Sequence, residues 1–181
     1  MMKDALKKAV QCSFFRLLQE EGSLFDCPIE EDFPYDARKL HEVCINHKLA
    51  NYLEHMIFPL LPREPKMFVD IEFNREGLNY KAVRLGDEDK RVRPDIVVHN
   101  RRSNKDKINF LVVECKKEGS LKEEIEEDFR KIYAMMEDER YSYTFGLQVI
   151  YGKSQIKSFL FYKYDTGIKS EKMVVRANKA M

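Results

Sequence analysis

The chain has 181 residues, of which 44% are hydrophobic and 35% charged. This is a globular composition, and it excludes an intrinsically disordered chain. The longest apolar runs, residues 56–61 and 110–113, are far shorter than the roughly 20 residues that a helix needs to cross a bilayer, so we expect no membrane span. The length suits one domain over residues 1–181.

The net charge of +1 argues against a protein that coats long nucleic acids. The charge is uneven, however: residues 81–117 carry eleven Lys and Arg residues, and residues 118–139 are acidic. The basic stretch could contact a few phosphates, or it could be a pair of solvated loops. The four cysteines form no C-x-x-C pair, which disfavours a zinc site. Without a signal peptide, reduced thiols in a cytoplasmic protein are the simplest interpretation.

The first half of the chain reads as two helices followed by strands. Apolar residues at helical spacing predict a helix over residues 3–20 and another that Asp36 caps and Pro59 and Pro62 end. A loop over residues 25–35 joins them. Alternating residues then predict a strand over 67–74, with a strand over 80–85 that could pair with it.

The second half carries the most apolar segment. Residues 93–100 predict a short strand, and residues 108–116 predict a central strand that is apolar on both faces. A helix follows, with Ser120 as its cap and Glu123 at capping-box spacing. Strands are predicted over 144–151 and 157–164, and the polar tail after Thr166 is left unassigned. This order predicts an α/β fold, with a core over about residues 36–164 built on a mixed sheet.

Two short motifs lie on neighbouring predicted strands: Pro94-Asp95, and then Glu114-Cys115-Lys116. With a hairpin turn between Ser103 and Asn104, Asp95 lies opposite Val112. Glu114 is then a diagonal neighbour on the same face, about 7–8 Å away, which is close enough for two carboxylates to bind one ion. Lys116 shares that face because side chains alternate along a strand. The alternative is a structural Glu114–Lys116 pair at the sheet rim, with Asp95 ending a turn.

Five blocks in this order resemble the PD-(D/E)xK, restriction-endonuclease-like superfamily, and most closely a group of small, uncharacterised bacterial proteins within it. The blocks are the helix segment 42–53, the strand segment 69–75, the R-P-D at 93–95, the E-C-K at 114–116 and a D-x-x-K formed by Asp128 and Lys131. The resemblance implies a restriction-endonuclease-like mixed β-sheet flanked by helices. It also implies a metal-dependent nuclease that hydrolyses phosphodiester bonds, with DNA as the expected substrate.

The resemblance also implies roles for single residues. Asp95, Glu114 and the backbone carbonyl of Cys115 would bind Mg²⁺, for which Mn²⁺ could substitute. Glu42 would be a further ligand through a water, and it is preferred to Glu54 because it shares the apolar face of its helix. Lys116 would orient the attacking water and stabilise charge on the phosphate.

Four further residues are candidates for substrate binding: Arg75, Arg93, His99 and Lys117. For His99, a packing role is the favoured alternative. A catalytically inactive nucleic-acid-binding or complex-forming module with the same fold is the alternative function, because the net charge is near neutral. We expect a nucleic acid as partner, no membrane, and the possibility of a homodimer.

Overall fold

The computed structural model of this chain describes residues 2–25, 35–61, 63–76, 79–102, 106–165 and 167–177. Asp36, the predicted cap, lies within α2, and its side chain is outside what is described. The stop at Pro62, the turn at Ser103–Asn104 and most of the predicted loop over 25–35 are also outside it. The helices are α1 (Met2–Glu20), α2 (Tyr35–Ile57) and α3 (Lys122–Glu137), as predicted within a few residues. Short 3₁₀ turns follow α1 at Gly22–Phe25 and α2 at Phe58–Leu60.

Six strands form one mixed sheet in the order β1-β6-β7-β8-β9-β10. Their bounds are β1 (Phe68–Ile71), β6 (Ile96–His99), β7 (Asn109–Lys117), β8 (Phe145–Tyr151), β9 (Gln155–Tyr164) and β10 (Gly167–Arg176). All neighbours are antiparallel except β7 and β8, which are parallel and are connected through α3. The α/β class predicted from the sequence is therefore confirmed.

Two small hairpins lie beside this sheet. One joins β2 (Arg75–Glu76) to β3 (Asn79–Tyr80), and the other joins β4 (Ala82–Leu85) to β5 (Glu88–Arg91). Residues 80–85 do not pair with β1 as predicted, although the Lys81 N–H donates to the Asn74 carbonyl at 2.7 Å. Gly86, with a φ of +67°, permits a two-residue turn that folds β4 back on β5 instead.

The sheet separates two apolar clusters. On one side α1 and α2 pack on inward residues such as Val113, Leu147 and Leu160. On the other side α3 and the β4–β5 hairpin pack on Val97 and Val112. Burial of β7 from both sides explains its apolar run over residues 110–113, because neither face meets solvent there.

Two boundary predictions need correction. The tail after Thr166 contains β10, whose Met173 is 3% exposed and packs in the cluster that contains α1. Helix α3 begins after Leu121 rather than Ser120, and the backbone N–H of Leu121 donates to the Glu124 carboxylate at 3.3 Å. Within the described ranges, no helix is both long and apolar enough to cross a membrane.

Candidate active site

The β6–β7 pairing positions Asp95 relative to Glu114. Val97 pairs with Val112 and Ile96 with Val113, so the same register extended by one residue sets Asp95 across from Glu114. The prediction that Asp95 lies opposite Val112 is therefore wrong by two residues. An even shift keeps both carboxylates on the α3 side of the sheet, because strand side chains alternate with a period of two.

The Asp95 carboxylate is fixed by the backbone of β7. Its Oδ2 accepts a hydrogen bond from the Cys115 N–H at 2.7 Å. Burial raises the pKa of Asp95 to about 6, although this hydrogen bond and the charge of Lys116 act in the opposite direction. The Asp95 carboxyl thus carries a proton in part of the pH range where an exposed aspartate is fully ionised.

Glu114 is a buried acid in the middle of an apolar strand, with only 3% of the residue exposed. Its Oε1 accepts no hydrogen bond from the part of the chain that the structure describes. Burial raises its pKa well above the ordinary value, and the negative charges of Asp95 and Asp128 raise it further. A buried carboxylate without compensation is costly, so this position favours either a proton or a cation.

Lys116 is held by α3, which the sequence did not indicate. Its Nζ lies 3.0 Å from Asp128 Oδ2, and the Lys131 Nζ lies 2.9 Å from Asp128 Oδ1. The Asp128 side chain is only 1% exposed, so it is a buried counter-charge shared by two ammonium groups. Asp128 and Lys131 belong to the D-x-x-K block of the sequence, and that spacing was the available signal for them.

The protonation state of Lys116 follows from these neighbours. Burial acts to lower its pKa, but the negative charge of Asp128 at 3.0 Å, followed by the charges of Asp95 and Glu114, outweighs burial and raises it. Lys116 is therefore a cation across the physiological range. Its Nζ also approaches the Cys115 carbonyl oxygen at 3.4 Å, the oxygen expected to bind a metal.

Glu42 approaches the same place from α2, on the other side of the sheet. Burial raises its pKa, while the positive charges of Lys116 and Lys117 lower it. Glu42 in turn raises the pKa of Asp95. These mutual effects join Glu42, Asp95, Glu114 and Lys116 into one electrostatic cluster at the carboxyl end of β7.

A buried polar network ties α2 to this end of β7. The Tyr151 hydroxyl lies 3.0 Å from Asn46 Oδ1 and 3.2 Å from the Cys115 sulfur. Asn46 is one helical turn after Glu42, so the two side chains share a face of α2. The contact therefore fixes the part of α2 that carries Glu42 against the strand that carries Glu114 and Lys116.

Gln148 is a further site residue that the sequence analysis missed. It pairs in register with Glu114, is fully buried, and its Nε2 donates to the Ile125 carbonyl at 3.1 Å. Its Oε1 has no hydrogen-bond donor among the described residues. A glutamine inside the apolar strand at 145–151 was the signal, because a buried amide needs partners.

The predicted substrate contacts have different surroundings. Arg75 and Arg93 are exposed, and an Arg93 Nη2 lies 3.3 Å from Glu72 Oε1. Lys117 is half-buried, close enough to Glu42 to lower its pKa. These three contacts stay predictions.

His99 lies outside the cluster. It is 3% exposed, its Nε2 lies 2.9 Å from Asp70 Oδ2, and its ring packs edge-on against Phe73. Burial lowers the pKa of His99, although the hydrogen bond to Asp70 opposes the shift. This environment favours the packing role over a substrate contact.

The donor set around Asp95 fits a hard cation in part. Among the described residues, no three His, Cys, Asp or Glu side chains are placed so as to enclose a metal ion. Mg²⁺ does not require such an enclosure, because proteins usually bind it through one or two carboxylates and leave the other positions to water and phosphate. Two carboxyls with raised pKa values, one with a buried oxygen that lacks a partner, match that pattern.

No protein-family model, curated protein or solved structure matches this chain.

Proposed function

We propose that this protein is a Mg²⁺-dependent nuclease of the PD-(D/E)xK type, with a restriction-endonuclease-like fold, that hydrolyses phosphodiester bonds in DNA. The observation that carries the proposal is the buried Glu114 carboxyl across from Asp95, with the Lys116 ammonium beside both. The negative charge of Asp95 raises the pKa of Glu114, and a bound cation would relieve the repulsion between these two acids.

The residues that would hold the ion are Asp95, Glu114 and the Cys115 carbonyl, with Glu42 acting through a water. When bound, Mg²⁺ would polarise a phosphoryl oxygen and make a coordinated water more acidic. The Cys115 N–H keeps the Asp95 carboxylate in place at 2.7 Å, so its free oxygen is oriented before any ligand arrives.

Lys116 acts as a hydrogen-bond donor and a positive charge, not as a general base. Its neighbours keep the ammonium protonated, and a protonated amine cannot accept a proton from water. An ammonium beside the scissile phosphate stabilises the negative charge that develops in the transition state. Asp128 is a positioning residue, since its carboxylate directs Lys116 from α3.

The test is cleavage of plasmid, linear duplex and single-stranded DNA with Mg²⁺, Mn²⁺ or EDTA. We expect metal-dependent cleavage that falls at least about 100-fold in Asp95→Asn, Glu114→Gln and Lys116→Met, in line with the loss of one electrostatic contributor each. Lys122→Met is the matched control, because Lys122 is an exposed lysine on α3. Cleavage that survives both Asp95→Asn and Lys116→Met would overturn the assignment.

A second candidate is a nucleic-acid-binding or complex-forming module without catalysis. It is favoured by the finding that no three metal-binding side chains converge in the described part of the chain. Calorimetry separates the two functions. Heat of Mg²⁺ or Mn²⁺ binding that disappears in Glu114→Gln supports the nuclease, whereas DNA binding without any metal uptake supports the module.

A further inference from the structure

An exposed aromatic ring and two arginines lie on the hairpins that precede Asp95. Tyr80 on β3 pairs in register with Arg75 on β2, and the residue is 57% exposed. The Arg91 guanidinium, on β5, lies over the Tyr80 ring at 4.8 Å from its centroid. We call Arg75, Tyr80 and Arg91 the Tyr80 surface.

Burial does not explain this arrangement. Tyr80 belongs to neither apolar cluster, while Val83, three residues later, is fully buried beneath α3. Arg75 and Arg91 are exposed as well, so the ring and both guanidinium groups are accessible to a ligand. Arginine and tyrosine side chains together are the usual components of a surface that stacks on bases and contacts phosphates.

Backbone hydrogen bonds connect this surface to the candidate active site. The Lys81 N–H, next to Tyr80, donates to the Asn74 carbonyl at 2.7 Å, and the Val92 N–H, next to Arg91, donates to the Lys81 carbonyl at 2.9 Å. The Glu72 N–H donates to the Asp95 carbonyl at 2.9 Å. Arg91 is four residues before Asp95, so their Cα atoms are at most about 14 Å apart. A nucleic-acid strand with a base stacked on Tyr80 would therefore reach Asp95 within a few nucleotides.

The charges around the Tyr80 surface suit one strand better than a duplex. The tip of the β4–β5 hairpin carries the acids Asp87, Glu88 and Asp89, which would repel a second backbone lying along the hairpin. The same hairpin also carries Arg84 and Lys90, but Arg91 is the cation that lies over the ring. Stacking on an aromatic face also requires a base that is not already stacked in a helix.

We propose that the Tyr80 surface binds an unpaired nucleotide of the substrate, with a base stacked on the Tyr80 ring and neighbouring phosphates contacted by Arg75 and Arg91. The substrate class is therefore single-stranded nucleic acid, or duplex with a frayed or unpaired segment. This inference rests on the proposed function for its biological meaning, but the binding it describes can be measured without metal and without cleavage.

The test is fluorescence anisotropy in EDTA with labelled oligo-dT of about 16 nucleotides and a duplex of matched length. We expect wild type to bind the single strand more tightly, and Tyr80→Ala to weaken that binding about 5- to 100-fold, the range found when a stacking aromatic is removed. Tyr80→Phe keeps the ring and should stay within about twofold of wild type. Melting temperatures of all variants check that the hairpins are intact.

Tyr164 provides the matched control. Tyr164 is 51% exposed, and the Lys169 Nζ lies 3.8 Å from its ring centroid. It ends β9, seven residues after Lys157, which is in register with Lys116 through Ile150 of β8. Tyr164→Ala should bind as wild type does. Three results would overturn the inference: no single-strand binding by wild type, unchanged binding by Tyr80→Ala, or equal losses for single strand and duplex. Metal-dependent cleavage is scored separately, so failure of the proposed function is distinguishable from failure of this one.

Discussion

The Lys116 ammonium lies 3.0 Å from Asp128 Oδ2, so a lysine on the central strand is oriented by a buried acid on the helix that follows it. The same carboxylate also binds Lys131. Lys116 consequently depends on α3 for its position as well as on β7. The geometry of the candidate site is therefore a property of the strand–helix unit.

Asp128→Ala should be strongly destabilising. Removal of this carboxylate leaves two partly buried ammonium groups without their shared counter-charge, and breaking a buried ion pair from one side costs about 3–5 kcal/mol in the free energy of unfolding. Chemical denaturation measures the effect. Glu126→Ala, which removes the partner of an exposed Lys122, is the control and should change stability by less than about 1 kcal/mol. A small effect of Asp128→Ala would contradict the role of this pair.

Asp95 should make stability fall as the pH rises from about 4 to about 6. Its pKa is about 6 in the folded protein and 3.8 for an ordinary aspartate, so the folded state holds a proton that the unfolded chain has released. The folded state binds more protons in this window, and the free energy of unfolding declines by up to about 3 kcal/mol. Comparison of wild type with Asp95→Asn in EDTA isolates the effect. An unchanged pH profile in Asp95→Asn would count against it.

Glu114→Gln should separate stability from metal binding. The amide keeps the shape of the buried acid without its charge, so in EDTA the melting temperature should change little. Mg²⁺ at about 100 times its dissociation constant stabilises a binding protein by about 2.7 kcal/mol, and this gain should vanish in Glu114→Gln but persist in Glu126→Gln. Thermal denaturation with and without Mg²⁺ measures both. A full Mg²⁺ response in Glu114→Gln would remove Glu114 from the ligand set.

The two glutamates of α2 should behave differently. Glu42 is linked electrostatically to Lys116 and Asp95, whereas Glu54 lies twelve residues further along α2. Glu42→Gln should lower the rate of metal-dependent cleavage about tenfold or more, since a charge that orients bound water contributes on that scale. Glu54→Gln should cleave at the wild-type rate. Equal rates for the two variants would show that Glu42 has no part in the reaction.

Gly146→Ala should disturb the site from a distance. A Cβ at Gly146 on β8 would lie 2.3 Å from Ile132 Cγ2 and 2.9 Å from Met136 Sδ, so α3 would have to move away from the sheet. Overpacking of this kind costs about 1–3 kcal/mol. We expect lower stability together with weaker cleavage, since α3 carries Asp128. Gly22→Ala is the control, because a Cβ there meets nothing within 4 Å.

The strongly patterned elements were predictable from the sequence. The strand β7 is recognisable because burial on both faces produces a continuous apolar run. The helix α3 is recognisable because burial of one face repeats apolar residues at helical spacing. β10 was not identified. Only Met173 of its ten residues is buried, and Lys169, Glu171 and Lys172 resemble a solvated tail.

The site was predictable as a set of residues but not as a geometry. Asp95, Glu114 and Lys116 share one side of the sheet because side chains alternate along strands. The register of β6 with β7 depends on where the connecting loop turns, and the sequence does not fix that position. The bulge between Val98 and His99 is one such irregularity. The Lys116–Asp128 pair joins a strand to a helix, and short-range sequence patterns carry no information on such contacts.

The polar groups of the candidate centre come from positions 42, 95, 114, 116 and 128, on two strands or their flanks and two helices. No shorter stretch of this chain brings them together. Hydrolytic competence should therefore arise only when the whole sheet with its helices has folded, and a chain still being synthesised would be harmless to the nucleic acid around it. Partial unfolding should switch the activity off before the strands themselves separate.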